Sequence, residues 1–412
     1  MSLSEAQLAQ DVRQRLFSPV KSANPHTIGI ELELIPLHRA DNKPALPRVE
    51  NGLSTADILS RLARRESWIE QRAEDDPPSW RLPDGACISF EPGGQIEISS
   101  APQRSASVLI DSARDVVTKI IKEMEVEGIE LIARGVDPYN GIDAVPLQLR
   151  RERYTGMTRY FDSVGPYGVQ MMRQTAALQI NIDRGEDPLF RWRLLNFLAP
   201  VIIALFANSR DYAGAPTEWA SYRGHLWRSL DRTRTGVAYR DDDPVGAYLA
   251  FALGAVAMRS SEGNRPYREF RDWMSESSVG MDEWSFHLST LFPEVRAKEF
   301  FELRSADTIE LESLSAPIAF VTGLVYDAES ARFAASILPE PTEKLLAAAD
   351  RSGLDESLLR DIASRLCVVA LEGARRLGET YISRRHLSEA REYLERRVKN
   401  TAFGASLSAR II

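Results

Sequence analysis

Four short segments of this chain alternate apolar and polar residues with a period of two, and their polar positions are acids, amides and an arginine. In Ile28–Gly29–Ile30–Glu31–Leu32–Glu33–Leu34, the four aliphatic side chains share one face of a strand. Glu31 and Glu33 share the other, roughly 7 Å apart. The segment CISFEPGGQIEISS sets Ile96 and Ile98 against Gln95, Glu97 and Ser99. Glu91 precedes it across a Pro92–Gly93–Gly94 turn, where the backbone can bend sharply. Next, Leu178, Ile180 and Ile182 oppose Gln179, Asn181 and Asp183, and Phe301 and Leu303 oppose Glu302 and Arg304.

Taken singly, each segment reads equally well as a half-buried antiparallel strand with a solvated polar face. If the four polar faces converge, they gather Glu31, Glu33, Glu91, Glu97 and Glu302. Carboxylates a few ångströms apart repel by ~1 kcal/mol per pair in water and several-fold more in a partly dry cleft. They must then protonate, separate or hold cations. Oxygen donors with no cysteine and little histidine suit Mg2+ or Mn2+ rather than zinc. Arg304, on the same face as Glu302, is placed to touch a phosphate bridging such ions. Alternation establishes compatible faces, not neighbouring strands. The chain has no GxxxxGK[ST] loop and no glycine-rich loop opening a helix after a strand. A bound ATP would therefore have its phosphates held by metal ions and arginines.

The elements carrying these faces follow from periodicity. Strand-like segments run to about Pro102, interrupted by a polar, proline-containing section at 75–83. The spacing of Val108, Leu109, Val116, Val117, Ile120, Ile121 and Met124 predicts a helix from near Ser105 to Gly128. Short strands and helices alternate to about Asp327, and from Pro341 the pattern is helical. The expected class is α+β, divided into a catalytic region, 1–327, and a helical C-terminal region packed on it, 328–412. The longest apolar run, Leu194 to Ala207, contains Asn196 and Pro200 and falls short of the roughly 20 residues a membrane span needs. It reads as a buried helix.

With 412 residues, 44% hydrophobic, the chain can bury a large core. A net charge of -8 without a basic stripe argues against nucleic-acid binding. Cys87 and Cys367 lie far apart and form no CxxC pair, which argues against a disulfide framework or structural zinc. Cys87 is expected to be a buried small residue rather than a nucleophile. The first 20 residues read as an amphipathic helix without a signal peptide's apolar core, and the expected location is cytoplasmic.

The motifs GIELEL, ISFEPGGQIEISSAP, RYTGMTRYF, MMRQTAALQINID, ALFANS, RGHLWRSLDRTRTG, HLSTLFPEVRAKEFFELRSAD and VTGLVYD occur in this order. Together they resemble the glutamate–cysteine ligases of the plant and proteobacterial type over roughly residues 28–327. The helical tail matches only in general character. The resemblance implies a glutamine-synthetase-like fold, with an antiparallel sheet curved into a funnel and flanked by helices. It implies ATP and Mg2+ (or Mn2+) as cofactors and L-glutamate and an amino-acid amine, that of L-cysteine, as substrates. A γ-glutamyl phosphate would lead to γ-glutamylcysteine. By position Glu31, Glu33, Glu91, Glu97 and Glu302 match the metal ligands, and Gln179 and Asn181 a polar pair near metal and nucleotide. Arg304 matches the arginine at the transferred phosphate, acting with Glu97 in catalysis. Arg223, Arg234, Arg153 and Trp227 lie in motifs implied to bind substrate, with SYRGHLWRSLDRTRTG as a binding loop. Alternatively, these arginines pair with Asp231 and residues 241–243 on the surface, and Trp227 packs. His225 and His287 are expected to be structural.

Two departures stand out. Gln174 occupies the place of an arginine directly before Thr175, with Arg173 one position earlier. That shift would alter a contact to the second substrate. Residues 39–85 also match poorly. Competing readings are a γ-glutamyl ligase for another amine, a non-catalytic relative that binds glutamate or nucleotide, and a phosphotransferase lacking an amine site.

Overall fold

The computed structural model describes residues 3–20, 26–239, 243–260, 266–276 and 278–399. Among these, nine strands form one sheet. They are β1 (Ile28–His38), β2 (Ile69–Gln71), β3 (Ser79–Arg81), β4 (Cys87–Phe90) and β5 (Ile96–Ser99), then β6 (Ile129–Ile132), β7 (Ala177–Ile182), β8 (Val295–Ala297) and β9 (Phe301–Asp307). Their spatial order is β8-β9-β7-β1-β5-β4-β3-β2, with β6 on the far half of β1. Every pairing is antiparallel. The four segments singled out in the sequence are therefore neighbours in one sheet.

Alternation explains why. The apolar set Ile28, Ile30, Leu32, Leu34, Ile96, Ile98, Leu178, Ile180, Ile182, Phe301 and Leu303 is at most 4% exposed and belongs to one core. Each such side chain stabilises the fold by roughly 1.5–3 kcal/mol. Slipping β1 by one residue would bury its glutamates in that core, so the register is strongly specified. The helix Ala106–Val126 packs against β1 and β6. Ser105 caps it, its hydroxyl accepting the Val108 amide at 3.4 Å, as the sequence pattern predicts.

The apolar run proves longer than the sequence suggests. The helix Pro188–Phe206 is long and apolar enough to cross a membrane, yet its most apolar stretch is 78% buried inside the protein. It packs on β9 as a core helix. The section at 75–83 is also more ordered than expected. It contains β3, Trp80 is fully buried, and the buried Asp76 accepts the Arg150 amide at 2.7 Å. The chain from Glu343 to Lys399 forms three α-helices, Glu343–Ser352, Ser357–Arg376 and Arg384–Lys399. They pack on Pro188–Phe206, and the last two also pack on the helix Ser315–Tyr326.

Candidate active site

Register brings the polar positions into three rows across the sheet. Ser89, Glu97 and Glu33 are successive partners on β4, β5 and β1. Cys87, Ser99, Glu31 and Gln179 form the next row, and Gly29, Asn181, Glu302 and Arg296 the third. A bulge between Leu303 and Ala306 inserts one residue into β9 opposite β7. Arg304 and Asp307 thereby both leave the core face while Leu303 and Ala306 stay in it.

Over these rows lies a cavity of about 200 Å³. Its walls include Glu31, Glu33, Glu91, Glu97, Gln179, Arg153, Arg223, Trp227, Arg296 and Arg304. Glu91 reaches it from the hairpin joining β4 to β5. The Gln95 carboxamide holds that hairpin, accepting the Gly93 amide at 2.9 Å and donating to the Thr175 carbonyl at 2.8 Å. Gly94 has φ +94°, and a Cβ on Gly93 would lie 1.9 Å from the Arg173 carbonyl oxygen. The two glycines are thus required by a left-handed turn and by close backbone approach.

The carboxylates are ordered by amides. Glu33 accepts the Ala177 backbone amide at 2.8 Å and the Gln179 side-chain amide at 3.0 Å. Asn181 donates to Glu31 at 3.2 Å, and Ser99 to Glu97 at 2.8 Å. Burial, and after it repulsion from Glu97, pushes Glu33 up to about 7. Burial and then Glu97 and Glu33 raise Glu91 well above the usual carboxylate range. Glu31 is raised by burial, Glu302 and Glu97. Glu302 behaves oppositely. Burial works against its charge, but Arg296, Arg304 and Lys298 outweigh that and hold its carboxyl far below the usual range. Arg296 donates to it at 2.5 Å, Arg304 at 2.6 Å, and Lys298 also contacts it. Its side chain is fully enclosed.

Arg304 also donates to the Gln179 side-chain oxygen, Oε1, at 2.7 Å. Arg223 donates to the Arg304 backbone carbonyl at 2.8 Å and lies 3.7 Å from Asp307. Both guanidiniums stand 5.1 Å from the Trp227 ring, whose indole N–H is fixed by the Phe292 carbonyl at 2.8 Å. Trp227 is thus both packing residue and cavity wall, in contact with both cations. Arg153 also lines the cavity and donates to the Ser289 carbonyl at 3.0 Å.

The remaining substrate candidate, Arg234, is not brought to the cavity. Fully buried, it bonds Asp231 at 2.7 Å, the Thr290 carbonyl at 2.8 Å and the Val256 carbonyl at 2.6 Å. Of its alternative partners read from the sequence, Asp231 is real, and residues 241–242 lie outside the described residues. The supposed binding loop is helical, Tyr222–Leu230 then Arg232–Thr235, because Ser221 and Asp231 cap the two turns. Arg228 anchors this helix, donating to Asp350 and Glu294 at 2.5 Å each, and Glu294 also accepts from Ser305 at 2.6 Å.

Gln174 ends the helix Pro166–Gln174 rather than lying on a strand. Its amide donates to the Asn140 carbonyl at 2.7 Å and accepts from Tyr212 at 2.9 Å. It does not line the cavity. His287 is buried against the Ala252 carbonyl at 2.7 Å, and His225 stacks on Trp219 with ring centres 4.1 Å apart. Cys87 is half-buried rather than buried and shares the polar face, but burial and then Glu97 push its thiol pKa up. Sequence reasoning missed Arg296 and the apolar wall of Met157, Met171, Met172 and Phe292, and also Lys298, which contacts Glu302. The alternation Val295–Arg296–Ala297–Lys298 was the available signal for Arg296 and Lys298.

The donor set suits a hard divalent cation. It is all oxygen, three carboxyls are raised by burial and crowding, and the Asn181 Oδ1 is buried without a hydrogen-bond partner. Among the described residues, however, no three acidic, His or Cys side chains already form a cation cage. Mg2+ needs none, since it keeps waters and binds through one or two carboxylates plus substrate phosphates.

Residues 27–411 match the family model described as glutamate–cysteine ligase family 2 (GCS2), so the similarity takes in the helical tail as well. Similar relatives include the chloroplastic glutamate–cysteine ligase of Nicotiana tabacum, 30% identical over 90% of this chain and 74% of that protein. Another is the chloroplastic glutamate–cysteine ligase B of Oryza sativa subsp. japonica, 30% identical over 78% of this chain and 69% of that protein. A solved glutamate–cysteine ligase from Francisella tularensis, in complex with AMP, shares the fold with a TM-score of 0.54 at 12% identity. The match covers 95% of this chain and 85% of that one. The plant names correct the cytoplasmic placement expected from the sequence, because these relatives are chloroplastic. The lack of a signal peptide's apolar core in the first residues does not separate the two places, since transit segments lack one too.

Proposed function

The chain belongs to glutamate–cysteine ligase family 2, and from that premise we propose that it uses ATP to join the γ-carboxylate of L-glutamate to the amine of L-cysteine. The observation that carries this reading is one cavity in which Glu31, Glu33, Glu91 and Glu97 face Arg304 and Arg223.

A carboxylate is a poor electrophile. In this reading its γ-oxygen attacks the γ-phosphorus of ATP, the bond to ADP breaks, and a γ-glutamyl phosphate forms. Arg304, held by Glu302 and Gln179, meets the charge on the transferring group. The cysteine nitrogen then attacks the acyl carbon, inorganic phosphate leaves, and the amine's proton passes to a cavity carboxylate or the departing phosphate. Arg223, with its buried Nε unpartnered, and Arg153 offer guanidiniums to substrate α-carboxylates. Trp227 offers both guanidiniums the face of its ring.

Glu31, Glu33, Glu91 and Glu97 would hold Mg2+, with the Asn181 Oδ1 beside them. Bound there, the ion would offset phosphate charge and orient the triphosphate. Glu302, already matched by three cations, orders the arginines instead. Arg234 serves the fold. The helical region from 328 steadies the cavity from outside, through Asp350 on Arg228.

The test is phosphate release with ATP, Mg2+, L-glutamate and each candidate amine, with product masses recorded. Cysteine-dependent release and a γ-glutamylcysteine mass support the reading. Turnover with a different amine alone would redirect it, and no turnover with any amine would contradict it.

A further inference from the structure

Glu302 is over-compensated. Arg296, Lys298 and Arg304 surround this one carboxylate, and the nearest other acid, Glu31, lies 3.8 Å from the Lys298 ammonium. The three cations are not equivalent. The side chains of Arg296 and Arg304 are 13% and 9% exposed, while that of Lys298 is 37% exposed. Both arginines reach the same Glu302 oxygen, Oε2, and Lys298 reaches Oε1. Glu302 would thus stay paired if Lys298 turned away.

Lys298 stands where the turn from β8 to β9 begins, its amide bonded to the Phe300 carbonyl at 2.8 Å. This is the Gly29–Asn181–Glu302 end of the polar face, whereas Arg223 contacts Asp307 beyond the Glu33 end. Gly29 and Glu33 are four residues apart, about 13 Å along the strand, with Arg304 and Gln179 between. A surplus of positive charge at a solvent-facing end, with a flexible ammonium as its outermost member, suits a polyanion.

On the reading of this cavity as an ATP-dependent ligase site, we propose that Lys298 binds the β- and γ-phosphates of ATP, exchanging its contact with Glu302 for one with the nucleotide. Lys298 is then a substrate-binding residue specific to the polyphosphate, while Glu302 stays paired with the two arginines.

The experiment is a calorimetric titration of the full chain with adenylyl imidodiphosphate in Mg2+, and separately with AMP. Wild type is compared with Lys298→Met, Lys298→Arg and a distant control, Lys119→Met, whose ammonium pairs with Glu66 at 2.8 Å. Losing one charged hydrogen bond predicts about tenfold weaker binding of the triphosphate analogue by Lys298→Met. Lys298→Arg keeps most of the affinity, and Lys119→Met all of it. AMP binds wild type and Lys298→Met alike, and in turnover the KM for ATP rises while that for glutamate does not. Unchanged analogue affinity in Lys298→Met, with wild type binding and turning over, would overturn the inference and leave the ligase reading standing. An equal loss of AMP binding would also overturn it, by showing general damage to the site. Failure of wild type to bind the analogue would overturn both.

Discussion

Glu33→Gln is expected to separate the stability of the cavity from its activity. Burial and Glu97 lift the Glu33 carboxyl from 4.5 to about 7, a shift worth on the order of 3 kcal/mol. A carboxyl raised on folding contributes stability that is complete below its unfolded pKa and is lost as pH rises through its folded pKa. Here that window is about pH 4.5 to 7. At pH 8 the wild type bears the full penalty and the neutral glutamine none. Glutamine has its own cost. Glu33 accepts from two donors, the Ala177 and Gln179 amides, and one glutamine terminus would meet a donor with a donor, costing about 1 kcal/mol. The net gain is about 2 kcal/mol at pH 8, raising Tm by about 2 °C in a chain of this size. At pH 5 the penalty relieved falls below about 1 kcal/mol, and the two proteins melt together. Thermal melts at both pH values in EDTA, paired with phosphate release at pH 8 in Mg2+, provide the assay. The variant should be the more stable at pH 8 and inactive there. An identical melting difference at both pH values would refute the assignment of a strained charge to Glu33. Wild-type turnover in the variant would refute its place in the site.

Other positions separate structure from chemistry in the same way. Arg234→Ala removes a fully buried guanidinium and leaves the largely enclosed Asp231 carboxylate without its cation, which should cost about 3–5 kcal/mol in denaturant unfolding, while the folded fraction keeps the wild-type KM for glutamate. Arg223→Met should also lower the unfolding midpoint, because Arg223 bonds the Arg304 carbonyl and faces the buried Asp307, but unlike Arg234→Ala it should raise the KM of the folded fraction for glutamate at least tenfold, as loss of a charged contact in the cavity predicts. Gly93→Ala forces the hairpin bearing Glu91 off the Arg173 carbonyl. Phosphate release should fall by more than tenfold while circular dichroism is unchanged, and undiminished release would show that Glu91 is not needed. Gln174→Ala should leave the preference among amines unaltered, measured as kcat/KM for cysteine and its analogues, because Gln174 bonds Asn140 and Tyr212 rather than the cavity.

Much of the site was legible because strand alternation is a local signal. Glu31 with Glu33, Gln179 with Asn181, and Glu302 with Arg304 were placed on shared faces from spacing alone. Their convergence was not, since it depends on pairing between strands more than 60 residues apart in sequence. Arg223 and Arg234 looked alike within one arginine-rich stretch. What separates them is helical phase: Arg223 and Trp227, four apart on one helix, share a face. Arg234 follows the break at Asp231 and turns back onto it. Gln174 ends a helix, so the alternation rule for strands does not say which way its side chain turns. Arg296 and Lys298 were not legible as partners of Glu302, because they meet it across a hairpin whose pairing the alternation alone does not show.

The central claim, that this cavity activates a carboxylate by phosphorylation before an amine displaces the phosphate, is tested most directly by following oxygen. L-Glutamate carrying 18O in its γ-carboxylate is incubated with ATP, Mg2+, L-cysteine and the full chain, and the inorganic phosphate is weighed by mass spectrometry. One 18O in each phosphate released, in step with γ-glutamylcysteine formed, is the predicted result. Phosphate free of label in the presence of product would contradict the acyl-phosphate route.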